Sequence, residues 1–191
     1  PRMRSAGLPM PGVELRVVDP ESRAILPPGQ TGEIEIRSVQ NIAGYWGKPD
    51  ETARAQAGEG WLKTGDAGFL DADGYLFLHD RIKDMIVSGA ENIYPAEVES
   101  AIFGHPAIAD VAVIGVPDAR WGEAVKACVV LAPGKSATEA DIIDFARSRI
   151  AGYKLPKSVD FIAEVPRNAA GKVLKRELRA PYWAGRERAV N

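Results

Sequence analysis

Residues 80–99 read Asp80-Arg81-Ile82-Lys83-Asp84-Met85-Ile86-Val87-Ser88-Gly89-Ala90-Glu91-Asn92-Ile93-Tyr94-Pro95-Ala96-Glu97-Val98-Glu99. A charged Asp-Arg-x-Lys-Asp cluster gives way there to the apolar run Met85-Ile86-Val87. Ser88-Gly89-Ala90 is a turn signal, and Pro95 suits the first turn of a helix, where no amide donor is needed. Physical chemistry alone predicts two short strands around a tight turn, then an amphipathic helix that begins near Ala96. The composition shift near Asp80 marks a domain boundary.

Upstream, the pattern is one of strands. Val13-Glu14-Leu15-Arg16-Val17 and Glu33-Ile34-Glu35-Ile36-Arg37 alternate apolar with polar, which predicts two half-buried antiparallel strands. Pro49, followed by Asp50 and Glu51, predicts a short helix that ends near Gly58. Asp73-Gly74 supplies a primed turn between strands at 69–70 and 75–78. Downstream, the period changes. Helices are expected near 95–103 and 139–150, the second behind a Thr138 cap and with Ile142, Phe145, Ala146 and Ile150 on one face. Strands are expected over 111–116, 125–131 and 159–163, and a last helix over 174–178. The basic tail after Pro181 is expected to be mobile. Strands and helices alternating in this way indicate an α+β fold of small layers.

At 191 residues, the chain has room for one large domain or two small ones. A net charge of -2 gives no electrostatic case for nucleic acid or an anionic membrane. The single cysteine, Cys128, lies in an apolar run and reads as a small buried hydrophobe. It excludes an internal disulfide and fits a reducing cytoplasm. No apolar stretch approaches the length of a membrane span, and Pro1-Arg2-Met3-Arg4 has no signal-peptide core behind it. A cytoplasmic chain without transmembrane segment or nucleic-acid partner is therefore expected. His79 and His105 have no partner pattern for a metal or a catalytic pair.

The wording Arg-Ile-Lys-Asp-Met-Ile-x-Ser-Gly-x-Glu-Asn-Ile-Tyr-Pro-x-Glu-Val-Glu closely resembles the hinge and following β-hairpin of the adenylate-forming enzymes: acyl-CoA synthetases, peptide-synthetase adenylation domains and luciferases. The resemblance spans almost the whole chain. It implies that residues 1–80 are the C-terminal, β-rich end of the family's large N-terminal domain, the close of its β-barrel subdomain. Residues 81–84 would be the hinge, and 85–191 the small, mobile C-terminal α+β domain. Nothing matches the family's Gly/Ser/Thr-rich phosphate loop or its Tyr-Gly-x-Thr-Glu segment, both of which would lie upstream of Pro1. The chain is thus expected to be the C-terminal part of an enzyme, inactive as a ligase by itself, with the missing N-terminal domain as its partner.

The resemblance also assigns roles. Asp66, in Lys63-Thr64-Gly65-Asp66, would accept hydrogen bonds from both ribose hydroxyls of ATP; on the residues alone, a loop aspartate capping nearby amides is the alternative. Arg81 would reach the same ribose, and Lys83 would be the pivot. A solvated charge cluster is the alternative for both. Many relatives carry Gly at the position of Asp80. Gly89 and Ala90 would line the tunnel for a pantetheine arm; relatives usually have Gly-Gly there, and the Ala90 methyl makes positive φ costly. Lys172, in the Pro-x-x-x-x-Gly-Lys spacing of 166–172, would bridge the substrate carboxylate and the α-phosphate. The same spacing gives neighbouring Lys175 no inward role. Trp121 and Tyr153 would stack on the adenine of CoA, or simply support the small domain's sheet.

The implied activity is that of an AMP-forming acid–thiol ligase. A carboxylic acid, expected to be a fatty acid, is activated with ATP to an acyl-adenylate and then passed to CoA. ATP, CoA and Mg2+ are the implied cofactors, with Mg2+ held mainly by the missing N-terminal part. Glu-Asn-Ile-Tyr-Pro and Trp-Gly-Glu favour CoA as acceptor, as does the absence of a carrier-protein Ser motif after Lys172. Two alternatives stay open: an adenylation domain that loads a carrier protein, and a free-standing, non-catalytic module.

Overall fold

The computed structural model describes residues 5–186, which divide after Ile82 into two compact units. No described helix is long and apolar enough to cross a membrane. In the first unit, β1 (Val13–Val18) pairs antiparallel with β2 (Gly32–Ser38), and β2 with the long β4 (Trp61–Leu70). β3 (Gln56–Gly58) pairs with the start of β4 and β5 (Leu76–Arg81) with its end. These strands form an open sheet, with no closed barrel among the described residues. The short helix α1 (Pro49–Ala55) carries Pro49 at its start and Asp50 and Glu51 in its first turn, as its sequence dictates.

β2 departs from the alternation reading. Glu33 is 8% exposed and Glu35 is fully buried, so the polar side of this strand is not a half-solvated face. The loop after β1 folds back, with the Leu26 N–H donating to the Val17 carbonyl at 2.8 Å. It carries Arg23 to both carboxylates, and Arg16 reaches Glu35 from β1 at 2.6 Å. Buried carboxylates persist only when paired in this way. The Asp73-Gly74 turn also differs. Among its residues only Gly74 has positive φ (84°), and the Asp71 carboxylate accepts the Asp73 and Tyr75 amides at 3.0 and 2.8 Å. Asp71 therefore organises a longer loop of type I character, not a two-residue primed turn.

The second unit is built on β8 (Ile108–Asp118) and β9 (Gly122–Leu131), an antiparallel pair in continuous register from Asp110 to Asp118 with a shift between Ile108 and Asp110. β10 (Ser158–Phe161) joins β9 in parallel, and the hairpin of β6 (Ile86–Ser88) and β7 (Glu91–Ile93) meets it at Ser88–Gly122. α2 (Pro95–Phe103) and α3 (Glu139–Arg147) cover one face, where Val98, Ile102, Ile142 and Ala146 pack on Val111, Val113, Val125 and Ala127. Thr138 and Asp141 form a reciprocal capping box at the start of α3, as their spacing predicts.

The opposite face carries α4 (Lys175–Trp183), whose Leu178 and Tyr182 pack near Ile114, Val116 and Cys128. This helix runs further than predicted, with Pro181 inside it. The reason lies beyond the proline. Tyr182 donates to Asp160, which also pairs with Lys126 at 2.6 Å, and Trp183 Nε1 donates to the Gly115 carbonyl at 2.9 Å. Residues 181–183 are thus fastened helix, not the start of a mobile tail. The rest of the tail, 187–191, and the N-terminal residues 1–4 lie outside the described residues. Burial opposes ionisation of Asp160, but its bonds from Lys126 and Tyr182 prevail and hold it below its usual value. The hydrogen bond to Asp160, with burial second, pushes Tyr182 up to about 12. Burial, with the Asp160 charge second, pushes the Cys128 thiol up to about 11, in keeping with its reading as a buried hydrophobe.

Truncating Ile142, which is fully buried under β8 and β9, tests this core. Ile142→Ala is expected to cost roughly 2–5 kcal/mol. It should appear in urea titrations as a lower midpoint with an unchanged slope. An unshifted midpoint would show that α3 is not part of the core.

Candidate functional site

In the first unit, Asp66 and Arg81 face each other across β4 and β5. The β4 segment that carries Asp66 is bulged: from Glu33 to Glu35 on β2, the partners move from Ala67 to Lys63 on β4. Gly65 takes φ +70°, where a side chain would be strained. The Thr64 hydroxyl fixes the bulge by donating to the Ile34 carbonyl at 2.8 Å and accepting the Asp66 amide at 3.0 Å. Arg81 Nε lies 3.1 Å from Asp66 Oδ1, yet it is buried and makes no hydrogen bond. Among the described residues, the Asp66 carboxylate accepts no hydrogen bond. A carboxylate and a guanidinium held together with unused bonding capacity suit a polyol that both donates and accepts, such as a ribose edge.

Beyond Arg81, a short 3-10 helix spans Ile82–Asp84. Lys83 is exposed on it, whereas Asp84 is buried and pairs with Arg179 of α4 at 2.8 Å. The charged cluster of 80–84 is therefore not uniformly solvated.

In the second unit, Gly89 and Ala90 form the β6–β7 turn, both with positive φ (61° and 67°), the signature of a type I′ hairpin. Trp121 joins them. The Gly89 N–H donates to the Trp121 carbonyl at 2.9 Å, and a Cβ added at Gly89 would lie 2.6 Å from Trp121 Cε3. Asp118 seats the tryptophan by accepting the Arg120 and Trp121 amides at 2.8 Å each, and the Arg120 guanidinium lies 4.5 Å above the indole. Trp121 remains 43% exposed. The turn and the indole thus form one surface of backbone and aromatic ring. Tyr153 is 47% exposed on a separate 3-10 helix, Gly152–Lys154, where Lys154 is held by Glu97 at 2.7 Å.

Lys172 ends a tight loop that begins at Asn168. The Asn168 side-chain oxygen accepts the Ala170 and Lys172 amides at 3.0 and 2.9 Å. Its backbone N–H donates to the Lys172 carbonyl at 2.9 Å, and Gly171 supplies the left-handed residue (φ +78°). Lys172 is exposed, and no described residue pairs with its ammonium. Lys175, by contrast, is 10% exposed and paired with Glu99 at 2.9 Å. α4 begins at Lys175 and turns this first residue onto α2, so it has a structural partner that its spacing does not reveal. Arg167 also escapes a sequence reading. Its guanidinium donates to the Gly171 carbonyl at 3.0 Å and to both oxygens of Asp110 on β8 at 3.0 and 2.8 Å. The lysine loop thus sits near Asp110 and the Trp121 surface near Asp118. These positions are eight steps apart on β8, roughly 26 Å at extended-chain spacing.

Two family models match the chain: AMP-binding enzyme over residues 1–46 and AMP-binding enzyme C-terminal domain over residues 97–172. A fatty acid–[acyl-carrier-protein] ligase, ScoC of Streptomyces coeruleorubidus, is 48% identical over 99% of this chain and 36% of its own length. A long-chain-fatty-acid–CoA ligase of Bacillus subtilis is 45% identical over 91% of this chain and 31% of its own length. Among solved structures, ATP-bound MatB from Rhodopseudomonas palustris superposes with a TM-score of 0.87 at 40% identity, over 94% of this chain and 36% of that one. The chain spans about a third of the length of the relatives it matches.

The hairpin turn makes opposite predictions at adjacent positions. Gly89→Ala places a methyl against the indole at positive φ and is expected to cost about 1–3 kcal/mol. Ala90→Gly relieves a left-handed penalty of about 1–2 kcal/mol against an unfolded-state entropy loss of about 0.4–1 kcal/mol, for a small net gain. Thermal unfolding of both variants checks this. Destabilisation by Ala90→Gly would contradict the type I′ geometry.

Proposed function

Starting from a chain that belongs to the adenylate-forming AMP-binding enzymes and carries their C-terminal portion, we propose that it completes an ATP-dependent carboxylic acid–thiol ligase. The observation that carries the reading is the placing of an unpaired lysine and of a small-residue turn with an aromatic platform at opposite ends of β8. A single cleft in the N-terminal part faces one of them at a time. In the first half-reaction, Lys172 enters the cleft and its ammonium spans the acid's carboxylate and the α-phosphate of ATP. Negative charge builds there as the carboxylate oxygen attacks phosphorus and pyrophosphate leaves. Asp66 accepts from the ribose hydroxyls and Arg81 donates to them, a role supported by the pairing of the two residues across β4 and β5.

In the second half-reaction, the unit beginning at residue 85 turns about the hinge 81–84 with Lys83 as pivot. Gly89 and Ala90 then flank the pantetheine arm, and Trp121 and Tyr153 take the adenine of CoA. The thiol attacks the acyl carbon and AMP leaves. Residues 1–80 belong in this reading to the N-terminal domain. Mg2+ enters only as the companion of ATP; among the described residues, no group of three His, Cys, Asp or Glu side chains fits a metal, and we assign it no ligand. A fatty acid is the proposed substrate, in keeping with the names of the relatives, and the cytoplasm the proposed compartment. One finding favours a second acceptor: ScoC, which matches 99% of this chain, is named for an acyl-carrier protein. Measuring acyl transfer to CoA and to carrier protein in parallel separates the two.

The lysine assignment is tested in the full-length enzyme with Lys172→Ala. Adenylation from acid and ATP is expected to fall about a hundredfold, the cost of one preorganised donor. Thioester formation from pre-formed acyl-adenylate is expected to stay near wild type. Exposed Lys135→Ala is the suitable control, since Lys175 is engaged with Glu99. Normal adenylation in Lys172→Ala, or an equal fall in both steps, rejects the assignment.

A further inference from the structure

The loop that carries Lys172 is held to the body of its unit through one guanidinium. We infer that Arg167, braced by Asp110, is a positioning residue that sets where the Lys172 ammonium is delivered; the inference rests on the role proposed above for Lys172.

The geometry is specific. Residues 166–174 form a small two-stranded excursion, with an Arg167–Val173 bridge and the Leu174 N–H donating to the Pro166 carbonyl at 2.8 Å. Asn168 closes its tip internally, which fixes the shape of the loop but not its direction. Direction comes from Arg167. One of its terminal nitrogens holds the Gly171 carbonyl, in the peptide unit that leads into Lys172, and the other grips both Asp110 oxygens. Asp110 is itself oriented, because its Oδ1 also accepts the Val111 amide at 2.9 Å. A planar guanidinium makes these bonds in one rigid fork, which an ammonium cannot reproduce.

Stability is a poor explanation for this arrangement. The side chains of Arg167 and Asp110 are 42% and 32% exposed, and ion pairs this wet contribute little to folding. Orientation is what the fork supplies. A reactive group displaced by about 1 Å loses on the order of a hundredfold in rate, so a weak bond can have a large kinetic effect.

The experiment is a double-mutant cycle in the full-length enzyme, read in both half-reactions. Arg167→Ala is expected to slow adenylation by roughly tenfold to a hundredfold. Thioester formation should change less than about twofold, and the melting temperature less than about 4 °C. Arg167→Lys should fall between wild type and Arg167→Ala, because one ammonium engages Asp110 or the Gly171 carbonyl but not both in the same geometry. In the Lys172→Ala background, adding Arg167→Ala should change adenylation less than about twofold, since there is no ammonium left to misplace. Additive losses, an equal fall in both half-reactions, or no effect of Arg167→Ala overturns the inference while leaving the Lys172 assignment intact. Normal adenylation in Lys172→Ala alone removes the assignment, and this inference with it.

Discussion

The antiparallel ladder between β8 and β9 is the constraint from which the second unit follows. Its strands are covered on both faces, so β9 is buried almost without a break from Glu123 to Val129. Such a strand reads as a continuous apolar run and leaves little room for charge. Glu123 and Lys126 are the exceptions, and Asp160 meets the Lys126 ammonium at 2.6 Å. With both faces occupied, only the two ends of the ladder remain for chemistry. An aspartate stands at each: Asp118 gathers the amides of the Trp121 turn, and Asp110 holds Arg167. A single pair of strands thereby fixes the spacing between the elements on which both half-reactions are proposed to depend.

What was legible in the sequence is what local chemistry decides. The turn at Ser88-Gly89-Ala90, the proline start of α2 and the Thr138–Asp141 capping box each depend on residues within a few positions of one another. The structure has all three where they were expected. The loop before Lys172 depends on such local chemistry too, through the side chain of Asn168 and the left-handed Gly171. Asp66 needed more. Its bulge depends on Thr64 reaching the Ile34 carbonyl, thirty residues away in sequence.

The misreadings share a cause. Glu35 alternates correctly, yet Arg16 and Arg23 arrive from other elements and turn an expected polar face into a buried ion-paired one. Lys175 and Asp84 look like surface charges until α4 brings Lys175 to Glu99 and Arg179 to Asp84. Proline is a strong local stop signal for α4, whereas the anchors of Tyr182 and Trp183 that carry the helix past it lie on β10 and β8. In each case a long-range partner outweighs a sound local rule, and no window of neighbouring residues contains that partner. Arg167 belongs with these, since its importance is visible only once Asp110 is beside it.

Cys128 lies on the sheet face beneath α4, is the only cysteine of the chain, and is 2% exposed. With its pKa pushed up to about 11, the thiol stays protonated at neutral pH. An alkylating reagent therefore has neither access nor a nucleophile while the helix is seated. Modification is favoured when α4 lifts, which uncovers the sulfur and removes part of the burial that opposes its ionisation. The chain thus carries an intrinsic chemical clock for the undocking of α4, and the rate at which its thiol is consumed measures that local opening.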